Sequence, residues 1–248
     1  MLILLPPSET KRDGGDETEA LLLSRLHFLG LTRQRRAMLA ALRSLGRNQK
    51  TMSEALGLSP AQRFEVVRNR TVRSSPVMPA IERYTGVLFD TVDLPSFTPA
   101  ERAFADRTIA IHSALFGLVL AEDPIPAYRL SYNSRVPGIH LRALWREAVS
   151  SEIRRQEGFV LDLRSEGYVG LGPVPASANG AYVRVVSVSG DGTTRALNHL
   201  NKTGKGELVR ALVAAGIEHP DASSLLKWAA GAGVNLVPGV GDELSLVV

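Results

Sequence analysis

Four aliphatic residues, Leu2-Ile-Leu-Leu5, run without polar alternation and stop at Pro6-Pro7. An apolar run of this length predicts a strand buried on both faces, ended where proline cannot extend a ladder. Residues 12–19 are a polar loop. From Thr32 the pattern changes period: Met38, Leu39, Leu42 and Leu45 recur at helical spacing, with Gly46 as the stop. Ser59-Pro-Ala-Gln62 has the form of a capping box with proline at the first helical position. It opens a second helix carrying Phe64, Val66 and Val67. Residues 32–70 therefore read as two helices around a turn at Ala55-Leu-Gly-Leu58.

Residues 74–98 are rich in Pro, Ser and Thr and read as a loop, then a short apolar element over 87–92. Thr98-Pro-Ala-Glu101 is a second capping box. Thr108 to Gly117 predicts a buried strand running into a turn, and 122–138 a loop. Leu141, Leu144, Trp145, Ala148 and Ile153 mark a helix ending near Gly158. Phe159-Val-Leu-Asp-Leu163 and Tyr182 to Val188 predict strands, the latter turning at Gly190-Asp-Gly192 into a hairpin with 193–200. Asn201-Lys-Thr-Gly-Lys-Gly206 leads into a helix with Leu208, Val209, Leu212 and Val213, and Asp221 caps another. Asn235 to Val237 and Glu243 to Val247 close the chain as a hairpin. Interleaved helices and strands, several from hairpins, predict an α/β protein with a mixed central sheet and flanking helices, spanning 1–248 as a single domain.

Composition narrows the chemistry. The chain has 248 residues and no cysteine, which excludes disulfides, thiolate metal sites and thiol catalysis. Met1 to Leu5 is too short for a signal region or a membrane span. The expectation is a cytosolic monomer with no membrane partner, no cofactor and no metal. The five histidines are scattered without metal-ligand spacing. Charge is uneven: residues 31–73 hold ten Lys or Arg against two acids, a net +8, which leaves the remainder of the chain at −4. On a helical projection Arg33, Arg36, Arg43 and Arg47 fall within about 80° of one another. Arg63, Arg68 and Arg70 belong to the next helix. A basic patch of this kind suits a phosphate backbone, and reads equally as a solvated surface.

Three strands end in polar residues. The first delivers Ser8, Glu9 and Lys11, the second Ser113, the third Arg164, Ser165 and Tyr168. In an open α/β sheet, ligands bind beyond the carboxyl ends of strands. If these strands are neighbours, the set suits an anionic small molecule, with Glu9 and Lys202 as candidate acid or base. A structural salt-bridge network accounts for the same spacing. Tyr128-Arg129 sits in a proline-restricted loop, as a ligand contact or a loop anchor. Lys202 and Lys205 lie in a basic, glycine-containing lead-in to a helix, which lacks the glycine and hydroxyl of a P-loop.

Taken together, several segments resemble the YaaA family of peroxide-stress resistance proteins, and most closely its actinobacterial branch. They are Met1 to Lys11, Arg83-Tyr-Thr-Gly86, Ser113-Ala-Leu-Phe-Gly117, Pro126-Ala-Tyr-Arg-Leu130, Leu144-Trp145, Asp162-Leu-Arg-Ser165 with Tyr168, and Asn201-Lys202 with Lys205-Gly206. The resemblance implies a compact α/β domain and a cytosolic protein that protects against peroxide. It also implies double-stranded DNA binding through a helix-hairpin-helix element and a positively charged cleft. The basic helical segment 31–73 is the place for that element here. The family's hairpin has a Gly-x-Gly turn; this chain has Leu56-Gly57-Leu58. The resemblance thus favours a DNA-binding stress protein, and the strand-end cluster an enzyme or binder of an anionic, nucleotide-like ligand.

Overall fold

The computed structural model describes residues 1–188, 194–195 and 198–248. In chain order the strands are β1 (Leu2–Leu5), β2 (Val77–Pro79), β3 (Ile109–Ser113), β4 (Gly117–Leu120), β5 (Pro124–Pro126), β6 (Val160–Asp162), β7 (Gly180–Val188), β8 (Thr194–Arg195), β9 (Leu236–Pro238) and β10 (Glu243–Val247). The α-helices are α1 (Thr32–Leu45), α2 (Gln49–Leu56), α3 (Phe64–Arg70), α4 (Ala80–Arg83), α5 (Val87–Val92), α6 (Pro99–Thr108), α7 (Leu141–Arg154), α8 (Glu166–Val169), α9 (Asn198–Ala215) and α10 (Ala222–Gly231).

Strand β1 lies inside the sheet because all four of its side chains are apolar and each face meets core. It pairs in parallel with β3 on one side, Ile3 opposite Ile109, and with β6 on the other, Ile3 opposite Leu161. The sheet runs β4-β3-β1-β6-β7-β10-β9, with β8 pairing β7 off that path. The pairs from β3 through β10 are parallel, whereas β4 and β9 close the two edges antiparallel. The mixed α/β sheet expected from the sequence is thus present. β2 and β5 form a separate two-stranded ribbon.

Local rules account for much of the chain. Thr98 Oγ1 accepts from Glu101 N at 3.3 Å while Glu101 accepts from Thr98 N at 2.7 Å, so α6 starts at Pro99 and hands directly into β3. Trp145 is fully buried and its indole nitrogen donates to Ala114 O at 2.9 Å, which fixes α7 against the turn after β3.

Two expectations need correction. Segment 32–70 holds three α-helices rather than two: α2 is an extra helix, started by Asn48, whose side chain accepts from Thr51 N, and buried through Met52 and Leu56 alone. The short apolar element expected over 87–92 is present as helix α5. Asn201 to Gly206 lies inside α9 instead of ahead of it. Its glycines serve close packing: a Cβ on Gly206 would stand 2.8 Å from Leu88 O, and one on Gly204 would stand 2.6 Å from Val248. The proposed turn Gly190-Asp-Gly192 lies outside the described residues, although β7 and β8 pair antiparallel as a hairpin requires.

Candidate functional site

The parallel strands β1 and β6 deliver their following residues to one edge of the sheet, beside side chains of β7. There a cleft of about 970 Å³ opens, within the size range of small-molecule sites. Pro6 to Glu9 after β1 and Ser165 to Tyr168 after β6 line it. Tyr182 and Arg184 of β7 and Asn201, Lys202 and Lys205 of α9 line it as well. Six residues expected at a ligand site therefore line one cleft: Ser8, Glu9, Ser165, Tyr168, Lys202 and Lys205.

The remaining five stand behind it. Lys11 is buried beneath the strand-end loop, where Nζ donates to Ser8 O at 2.9 Å and Glu9 O at 3.4 Å. It lies 4.2 Å from the ring centre of Tyr128 and 5.2 Å from that of Tyr84. Burial pulls its pKa down to about 7, with Glu65 opposing. Ser113 and Tyr128 belong to a buried hydroxyl chain, Tyr84–Tyr128–Ser113, linked at 2.8 and 2.7 Å. Ser113 Oγ also accepts from the amides of Leu115 and Phe116, which ties the strand end to its turn. Arg129 holds Glu9 in an ion pair, and its own backbone is bonded on both sides by Asn69 of α3 at 2.8 Å. The basic helices thereby reach the cleft wall.

Arg164 is a strut rather than a cleft contact. Its guanidinium is wholly buried, donating to both Asp162 oxygens at 2.8 and 2.6 Å and to Gly172 O at 2.8 Å, with His112 Nδ1 also 2.8 Å away. Asp162 and Arg164 sit two residues apart at the end of β6, so their side chains leave on the same face. What Arg164 offers the site is its carbonyl oxygen, which accepts from Lys205 Nζ at 3.3 Å.

The cleft is electrostatically one-sided. Arg184 is matched by Glu243 in two bonds, 2.8 and 2.9 Å, and by Glu166 at 3.1 Å. Lys202 and Lys205 have no carboxylate partner among the described residues. They sit one turn apart on α9, Lys202 exposed at the rim and Lys205 only 3% exposed in the wall. Desolvation draws the Lys205 amine down to about 8.

Tyr132, Tyr182 and Arg184 escaped the sequence reading. Tyr182 and Arg184 carried a usable signal, since alternate positions of one strand share a face. Tyr132 carried none: it is an exposed tyrosine after a loop serine. It packs edge-on against Tyr168, ring centres 5.5 Å apart, and covers Gly167 so closely that a Cβ there would stand 2.5 Å from its ring. Among the described residues no three His, Asp or Glu side chains converge where a metal could sit, and no helix is long and apolar enough to cross a membrane.

The basic segment distributes its charge unevenly. Arg33, Arg36, Arg43, Arg47, Arg63 and Arg70 are exposed. Arg68 is bonded to Glu65 at 2.9 Å and Asp13 at 2.5 Å, and Arg70 Nε donates to Gly46 O. Arg35 turns inward to three backbone carbonyls. Between α2 and α3 the turn amides are already used: Gly57 N meets Glu54 O, Leu58 N meets Ser53 O, and Ser59 N meets Gln62 Oε1.

Fold and cleft together define an open-sheet α/β protein with a lysine- and tyrosine-lined cleft beyond the carboxyl ends of its parallel strands. The family model for peroxide stress protein YaaA matches residues 1–230, and the chain belongs to that family. It is 41% identical to a UPF0246 protein of Corynebacterium efficiens over the full length of both chains. It is 40% identical to one of Corynebacterium glutamicum, again over both full lengths. A UPF0246 protein of Streptomyces coelicolor is 38% identical, over 87% of this chain and 84% of its own.

Proposed function

We propose that this member of the peroxide-stress family acts by holding an anionic, ring-bearing ligand of nucleotide type in the strand-end cleft. The observation that carries this reading is the pair Lys202 and Lys205, two amines without a carboxylate partner among the described residues, in a cleft that an exposed tyrosine ring also lines. A carboxylate-free pair of cations facing a cleft is suited to phosphate, and Lys acts there as a point charge. The Tyr132 ring offers a face on which a base can stack. Glu9, fixed by Arg129, lines the same cleft as the candidate acid or base, with Lys202 as its counterpart.

Calorimetry with adenosine monophosphate and adenosine tests this reading. The monophosphate is expected to bind about tenfold more tightly than the nucleoside, a difference of about 1.4 kcal/mol. Lys202→Ala should remove most of that difference. Equal binding of the two, or no change in the variant, rejects the reading.

A second reading, double-stranded DNA binding, is favoured by a different observation. Arg33, Arg36, Arg43 and Arg47 are all exposed and, among the described residues, face no carboxylate. Contacts from this stripe would position the protein on phosphates without specifying sequence. With the turn amides already bonded, side chains rather than a hairpin nest would make those contacts. Four phosphate contacts correspond to a slope of about −3 to −4 in log affinity against log salt. Anisotropy with a duplex oligonucleotide checks this, and Arg36→Ala with Arg43→Ala should reduce the slope by about 2. A flat salt dependence contradicts it.

A further inference from the structure

The chain contains five lysines, at positions 11, 50, 202, 205 and 227. Lys50, Lys202 and Lys227 are exposed. Lys11 is buried but closed off from the cleft, beneath two carbonyls and two tyrosine rings. Lys205 alone is both buried and part of the cleft wall. Among the described residues its amine has one hydrogen-bond acceptor, Arg164 O at 3.3 Å, and it faces the Tyr182 ring at 5.4 Å. A lysine held only to be charged would be expected bonded to a carboxylate; among the described residues the carboxylate that acts on it most strongly, Asp162, is taken by Arg164.

We propose that Lys205 is a nucleophilic amine that forms an imine with the carbonyl carbon of a phosphorylated aldehyde or ketone held in the cleft. The inference rests on the anionic-ligand reading above and deepens it by naming a substrate class and a covalent step. Lys202, one turn nearer the α9 N-terminus and at the rim, receives the phosphate, while Lys205, deeper, meets the carbonyl. The neutral amine attacks with its lone pair, and the carbonyl oxygen becomes a hydroxyl as the nitrogen sheds a proton. The hydroxyl departs as water after taking a proton from solvent, which the open cleft admits, while the nitrogen lone pair forms the C=N bond; the iminium then returns its remaining N–H proton to solvent, leaving the imine. No oxidant or reductant is consumed.

Burial supplies the reactive form. Desolvation holds Lys205 at about 8, so near that pH half of it is neutral, whereas an ordinary lysine is neutral only about once in 250. The fixed Asp162–Arg164 pair keeps the acceptor carbonyl in place and keeps Asp162 from bonding the ammonium directly.

Pyridoxal 5′-phosphate, a ring-bearing phosphorylated aldehyde, is a suitable probe. The full chain is incubated with it at pH 8, reduced with borohydride and mapped by peptide mass spectrometry. The adduct is expected on Lys205, at least about tenfold over Lys50, Lys202 or Lys227, and suppressed by excess adenosine monophosphate. Lys205→Gln and Lys205→Met, each checked for folding by circular dichroism, should lose it without transferring it to Lys202. Displaceable binding with the adduct absent, or spread over exposed lysines, overturns the nucleophile and leaves the ligand cleft standing. Failure of the probe to compete with adenosine monophosphate, with neither bound, overturns both.

Discussion

Asp162→Ala is expected to destabilise the protein by about 3–5 kcal/mol, the cost of leaving a buried charge uncompensated. Arg164 is fully buried, and Asp162 takes both of its bidentate bonds at 2.8 and 2.6 Å as well as the Arg164 amide at 3.0 Å. Removing the carboxylate strands a guanidinium inside the sheet, with only His112 and Gly172 O beside it. Substituting both partners with apolar residues of similar volume, Asp162→Leu with Arg164→Met, should recover much of the loss, because the desolvation of both charges disappears together. Urea midpoints of the two variants measure the effect. The Asp162→Ala variant should also lose the footing of Lys205, whose acceptor is the Arg164 carbonyl. A loss under 1 kcal/mol would mean that the pair does not organise this strand end.

The second large effect is an inverted alkaline limb of stability. Lys11 falls to about 7 and Lys205 to about 8 in the folded chain, both through burial. Unfolded, each returns to about 10.4. Below pH 7 both states carry the protons, and the folded state bears the cost of the buried charges. Between pH 7 and about 10 the unfolded chain binds protons that the folded chain has released, so stability rises with pH. Tyr84, Tyr128 and Tyr168 oppose this at higher pH: burial raises all three, so above about pH 10 the unfolded chain sheds phenolic protons that the folded chain keeps. Stability should therefore climb by about 2 kcal/mol or more from pH 7 to pH 9 and turn over near pH 10. Lys11→Met should be more stable than the parent at pH 7 and show a shallower climb. Denaturant melts at pH 7, 8, 9 and 10 decide it, and a flat or falling profile contradicts the burial of these amines.

Much of the framework was legible in the sequence because it depends on local rules. The unbroken Leu2 to Leu5 run required burial on both faces, and β1 is flanked by parallel strands on each side. Thr98 and Glu101 announced α6, and the polar residues after β1 and β6 marked the edge where the cleft opens. Other features depend on contacts between distant segments. Helix α2 has only Met52 and Leu56 to bury, too thin a stripe to stand out. Gly204 and Gly206 look like turn residues, whereas they let α9 approach β10 and α5. Arg164 looked like an anion receptor, because Asp162 read as part of an apolar strand rather than as its partner. Tyr132 owes its place to a contact with Gly167, thirty-five residues away, which no local pattern encodes.

The cleft ties these observations together, and crystals soaked with adenosine monophosphate test it most directly. Difference density is expected with the phosphate within hydrogen-bond reach of Lys202 and the base against Tyr132, and it should vanish in Lys202→Ala crystals. An empty cleft at saturating nucleotide, or density confined to the arginines of α1, would contradict the account.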